Sequence, residues 1–133
     1  MRLQAVALIF LLVGCAGRGP TRGAPPPTEA DISDSKVTLH CKDEPQCGRW
    51  WRTAQVWVAQ NSGMKLQIAT DAIVDTYNPS SYVSGWGVLV TRLPYIDGGE
   101  IIDIKATCRP AASCALAEET FIAEFKRAVL GTR

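Results

Sequence analysis

Apolar residues run unbroken from Ala5 to Val13, almost vanish between Ala16 and Asp34, and then recur in two rhythms as far as the C-terminus. Lys36-Val37-Thr38-Leu39-His40 alternates polar with apolar, which predicts a short strand with one face buried. A helix start follows. Asp43 is placed to cap it, Glu44 and Pro45 sit in its first turn, and Gln46 lies three positions after the cap, as a capping box requires. Cys47, Trp50 or Trp51, Ala54, and Trp57 or Val58 then fall at helical spacing, with Arg49, Arg52 and Gln55 on other faces, so the helix should run to about Gln60. Asn61-Ser62-Gly63 supplies its stop.

From Met64 the period changes to two. Met64, Leu66 and Ile68 alternate with Lys65, Gln67 and Ala69, and Ile73 to Tyr77 continues the β pattern. Asp71 marks either a bulge in one long strand or a turn between two. Asn78-Pro79-Ser80-Ser81 is turn chemistry, Trp86 to Leu93 reads as another strand, and Pro94 to Gly99 makes a hairpin loop before a partner strand over Glu100 to Thr107. Ser113 is placed to cap a last helix whose stripe is Ala117, Phe121, Phe125 and Ala128 or Val129. Glu118 and Glu119 near its start, Lys126 and Arg127 near its end and Gly131 just beyond suit the helix dipole and a glycine C-cap. Consecutive strands joined by short turns predict an antiparallel sheet of about four strands. Two amphipathic helices must cover one face of it, in the order β-α-β-β-β(-β)-α, giving a two-layer α+β domain over residues 35–133.

The N-terminal run has a different meaning. Met1-Arg2 gives one positive charge, and Leu3 to Val13 is apolar apart from Gln4, the layout of a secretory signal over residues 1–14. It falls short of the roughly 20 apolar residues that a membrane-spanning helix needs. It ends in Leu12-Val13-Gly14-Cys15, which resembles the lipobox of bacterial lipoproteins. That resemblance implies cleavage after Gly14 and acyl chains, palmitate among them, on Cys15; two or three chains anchor a protein stably where one does not. Ala16 is not the Asp that retains enteric lipoproteins at the inner membrane, so the implied location is the outer membrane, with the domain in the periplasm. Residues 15–34, rich in Gly and Pro and nearly free of large apolar groups, read as a flexible tether. Extended, such a segment reaches roughly 50 Å.

Cysteine arithmetic fits an exported chain. With Cys15 assigned to lipid, Cys41, Cys47, Cys108 and Cys114 are left, an even number that favours two disulfides. Three pairings are open. Cys41/Cys47 and Cys108/Cys114 each enclose five residues including a proline, which favours local closure, and that gap is wider than the two to four residues or so usual between zinc ligands. No metal and no other cofactor is expected.

The stretch from Trp51-Arg-Thr-Ala54 through Trp57, Asn61, Lys65, Thr70-Asp71 and Thr76-Tyr77-Asn78-Pro79 looks like the core of small, uncharacterised proteobacterial exported proteins, a likeness that extends loosely through the last cysteines and helix. It implies fold and compartment, and no catalytic residue is carried over from it.

Charge and motifs exclude more than they assign. The chain has 14 Lys plus Arg and 13 Asp plus Glu, mixed along its length, so there is no basic patch for nucleic acid. His40 is the sole histidine and has no nucleophile at catalytic spacing, which reads as structural; Asp71 and Asp75 would share a face only on a regular strand. No phosphate loop, nucleophile elbow or zinc-protease helix is present. The aromatic signal is richer: Trp50 and Trp51 cannot both face a core, and Trp86 lies between two glycines, so Trp50, Trp51 and Trp86 are the candidate binding surface. The expected role is a non-enzymatic module that is bound to the membrane by its lipid and recognises an envelope protein through its sheet or an aromatic patch. An inhibitor or binder of a cell-wall hydrolase or of peptidoglycan glycan is the alternative, and an unrecognised enzyme comes third.

Overall fold

A computed structural model describes residues 23–132; the signal segment and Cys15 lie outside the described residues. The ordered chain begins earlier than its composition suggests. Glu29–Ser35 forms a helix, α1, with Thr28 as its cap: the Thr28 hydroxyl accepts the Asp31 amide at 3.1 Å, and Asp31 accepts the Thr28 amide at 3.0 Å. Seven residues are too few to hold a helix in water unaided. The last helix, α3 (Glu118–Leu130), supplies the missing support. Arg127 donates to Asp31 at 3.0 Å and to Asp34 at 2.6 Å, Thr120 donates to Asp31 at 3.3 Å, and Lys126 donates to the carbonyls of Ser35 and Val37, both at 2.6 Å. The expected tether over residues 15–34 is therefore corrected: its last part belongs to the domain. What composition hides is that Asp31 and Asp34 are placed to meet Arg127, and the carbonyls of Ser35 and Val37 to meet Lys126.

The first strand, β1, is Leu39–Cys41, two or three residues later than the alternation suggested. The long helix α2 spans Glu44–Asn61, and the Asp43 side chain accepts the Gln46 amide at 2.8 Å as expected. The Gln46 side chain reaches one residue further back and accepts the Lys42 amide at 2.9 Å. Strands β2 (Leu66–Ala69) and β3 (Ile73–Thr76) are separate, which settles Asp71 as a turn residue. Thr70 makes that turn, its hydroxyl accepting the amides of Ala72 and Ile73 at 3.2 and 3.0 Å. Strands β4 (Gly85–Pro94) and β5 (Glu100–Arg109) form a ten-residue hairpin in register from Gly85↔Arg109 to Pro94↔Glu100. Its loop closes through Tyr95 and Gly99, with Gly98 at φ 88°.

The five strands are antiparallel in the order β1-β5-β4-β3-β2, so the domain is α+β as expected, with the optional fifth strand of the predicted order present and one helix, α1, added. Both local disulfides are present, Cys41–Cys47 and Cys108–Cys114, with Cα separations of 5.2 and 6.1 Å. The first ties β1 to the opening turn of α2. The second ties the end of β5 to the segment before α3, and it moves that helix's start. Ser113 lies in a short 3-10 turn, Ala111–Ser113, and α3 begins only at Glu118, after Ala117. The chain is held at the sheet's end until Leu116 has packed on the core.

That core lies between the helices and one face of the sheet. Val74 of β3, Val88 and Val90 of β4, and Ile102, Ile104 and Ala106 of β5 alternate inward to meet Trp51, Ala54 and Val58 of α2 and Phe121, Phe125 and Val129 of α3. The buried Thr76 hydroxyl replaces a ladder partner where β3 runs out, accepting the Val88 amide at 2.9 Å. Among the described residues no helix is long and apolar enough to cross a membrane.

Candidate functional site

The tryptophans do not form a surface. Trp51 is 3% exposed, its indole N–H donating to the Thr70 carbonyl at 3.1 Å, so it pins α2 to the β2–β3 turn. Trp86 is 8% exposed and stacks on Phe121 with ring centroids 4.1 Å apart. Trp50 is half-buried against the core, and Trp57 meets Phe121 and Phe125 edge-on at 4.9 and 5.4 Å. The expectation of an aromatic patch from Trp50, Trp51 and Trp86 is corrected. The glycines flanking Trp86 serve its neighbours: a Cβ on Gly85 would meet Met64, and one on Gly87 would meet Pro79.

What is uncovered is the sheet itself. Helices α2 and α3 pack on one face, and among the described residues no second layer covers those that alternate away from them. Ile73, Asp75 and Tyr77 of the β3 line, Leu89, Thr91 and Leu93 of β4, and Ile101, Asp103 and Lys105 of β5 stand on this open face. Ile68 adds an exposed apolar group opposite Asp75. Antiparallel sheets with one solvated face usually present polar residues there. Here Ile73, Leu89, Leu93 and Ile101 are interspersed with Asp75, Thr91, Asp103 and Lys105, so the face is mixed and carries more apolar groups than a purely solvated one.

At one end of this face lies the hairpin tip. His40, the outward residue of β1, contacts Asp97 at 3.1 Å and meets the Tyr95 ring edge-on at 4.9 Å. Asp97 also accepts the Gly99 amide at 3.0 Å, and this bond first, then His40, holds its carboxyl below the usual value. The tip is thereby fixed, with Ile96 at its apex 97% exposed. The hydrogen-bond and ring partners of His40 are Asp97 and Tyr95, which is the structural role expected for it.

On the helix side, a polar cleft of about 590 Å³ opens between α2 and the sheet, lined by Glu44, Gly48, Arg52, Asp71 and Arg92 among others. Arg92 bridges Glu100 and Glu44, the latter at 2.8 Å, and both partners keep its guanidinium firmly charged, Glu100 the more strongly. Asp71 lies in this cleft and Asp75 on the opposite face, so the two carboxylates do not act together. The Glu100 carboxylate and the sulfurs of Cys41 and Cys47 lie within 4.8 Å of one another, but sulfurs bonded to each other offer no thiolate to a metal.

The sequence reading offered the sheet as a recognition surface but named none of the residues of its open face, although a signal was there. Val88-Leu89-Val90 and Ile101-Ile102 are continuous apolar runs, and a strand that breaks alternation in this way places apolar groups on both faces. The Glu44–Arg92–Glu100 cluster gave no signal, because its members lie on three elements brought together only by the fold. Comparison of the chain with protein-family models, with curated proteins and with solved structures finds no match.

Proposed function

We propose that this chain is an envelope lipoprotein, anchored through acylated Cys15 to the outer membrane, whose periplasmic domain binds an envelope protein through the open face of its sheet without catalysing a reaction. The observation that carries the reading is the set of apolar groups on that face, Ile73, Leu89, Leu93 and Ile101, which no other described element covers, beside a fixed tip bearing Ile96. Support for the compartment comes from the Leu12-Val13-Gly14-Cys15 motif and from two disulfides, which persist where the surroundings oxidise. The test is paired substitution. Leu93→Glu and Ile73→Glu on the open face should abolish site-specific photo-crosslinking to a neighbour in native membranes, while Val56→Glu on the exposed side of α2 should leave it intact, all three proteins melting alike. Equal crosslinking by all three would remove the sheet face from the function.

A second reading has its own observation. The cleft around Arg52, Asp71 and Arg92 offers charged hydrogen-bond donors and acceptors around an open volume, the chemistry of a glycan or wall-peptide site. Sedimentation with purified sacculi that is lost in an Arg52→Ala, Asp71→Ala double variant would favour it over the sheet face.

A further inference from the structure

The chain enters the domain at one defined end. Ala24 lines a cavity with Trp86, Cys108, Ala111, Cys114 and Leu116, where β4 begins and β5 finishes. Only seven residues lie between Cys15 and Gly23, and the eight Cα–Cα steps between them can span at most about 29 Å. The hairpin tip lies at the far end of two ten-residue strands, about 31 Å away at roughly 3.4 Å per residue, and a body of this size is about 34 Å across. A leash from acylated Cys15 is therefore barely as long as the domain, and it keeps the end bearing Ala24 closer to the bilayer than the tip.

That end is built for an interface. Between β3 and β4 the chain makes a turn whose outermost residue, Tyr82, is 96% exposed, with Val83 and Tyr77 also exposed. The turn is held in shape by Ser80, whose hydroxyl accepts the amides of Tyr82 and Val83, both at 3.3 Å, and whose amide donates to the Val83 carbonyl at 3.0 Å. Tyrosine carries the apolar ring and polar tip that favour the headgroup layer. Cations flank it, Arg109 in a cavity shared with Asn78 and Pro79, and Lys65, whose carbonyl accepts the Tyr77 amide at 3.0 Å. Anionic headgroups attract such residues.

We infer that the Tyr77–Ser84 turn seats in the headgroup layer of the membrane that carries the chain's own lipid anchor, setting the domain upright with its hairpin tip pointing away from the bilayer. This rests on the lipoprotein reading above, and the test separates the two. The lipidated full chain, first weighed intact to count its acyl chains, is placed in vesicles of phosphatidylethanolamine and phosphatidylglycerol. Bimane is attached at Ser81→Cys or at Ile96→Cys, and quenching by nitroxide headgroup lipid is compared. The Ser81 site should be quenched at least threefold more than the Ile96 site, and adding Tyr82→Ser and Val83→Ser should lower that excess. Equal quenching in an acylated protein, or an excess untouched by the double substitution, overturns the seating while leaving the anchor standing. A mass without acyl chains overturns both.

Discussion

Replacing Trp86 distinguishes a core residue from a binding residue. A tryptophan waiting for a partner can be truncated with little effect on folding, typically within about 0.5 kcal/mol. Trp86 is 8% exposed and lies nearly parallel to Phe121, at an interplanar angle of 14°. A side chain of this kind buries about 200 Å², and at roughly 25 cal/mol per Å² its removal forgoes about 5 kcal/mol of transfer free energy. Measured Trp→Ala costs in cores are about 3–5 kcal/mol. Against a total of about 5–15 kcal/mol for a domain, that is a large share. At about 4 °C per kcal/mol for a domain of this size, Trp86→Ala should melt at least about 12 °C below the parent. Urea unfolding followed by circular dichroism, with disulfides intact, measures the loss, and Trp86→Phe should recover more than half of it by keeping a ring on Phe121. A Trp86→Ala loss below about 1 kcal/mol would show that the stack contributes little and would return Trp86 to the candidate surface.

Other outcomes follow from the clasp, the staples and the tip. The Asp31 carboxyl is held down to about 2, mainly by hydrogen bonds from Thr28 and then by Arg127 and Thr120. A carboxyl depressed in the folded state stabilises above its unfolded value of 3.8 and ceases to do so as pH falls from about 4 towards 2. NMR signals of α1 should therefore shift in that window before the sheet melts, and Asp31→Asn should abolish the shift. Opening the Cys41–Cys47 bond by a double Ser substitution closes one loop fewer in the unfolded chain and should cost about 2 kcal/mol at most, read from chemical unfolding. Gly99→Ala would drive a methyl into the Cys41 carbonyl, so its cost should be about 1–3 kcal/mol, with amide exchange raised across the β1–β5 pairing; Ile96→Ala, three residues away, should change neither.

Much of the architecture was legible because period and punctuation agree. The β4–β5 hairpin was readable from the β-forming run Trp86 to Leu93 and the glycines of its loop, α2 from Asp43, Pro45 and Gln46, and the disulfides from the even cysteine count and short spacing. The reading failed where distant groups decide the outcome. Thr28 and Asp31 do mark a helix start, but the segment to Ser35 is short, mostly polar and follows three prolines, so the cap went unread; Lys126 and Arg127, some ninety residues on, hold the helix. The tryptophans misled for a related reason. Adjacency and flanking glycine suggest exposure, but Trp51 has a carbonyl waiting at Thr70 and Trp86 a ring waiting at Phe121, and neither partner is visible in one dimension.

The clasp between α1 and α3 also has a mechanical meaning. If a partner grips the sheet while the bilayer holds the N-terminus, tension enters through residues 23–37 and is borne by Arg127, Lys126 and their oxygen partners before it reaches any strand. Such polar contacts yield at smaller displacements than a packed core. Their release would let out fifteen residues with a contour of about 51 Å, so that the partner and the bilayer could move apart while the sheet keeps its hold.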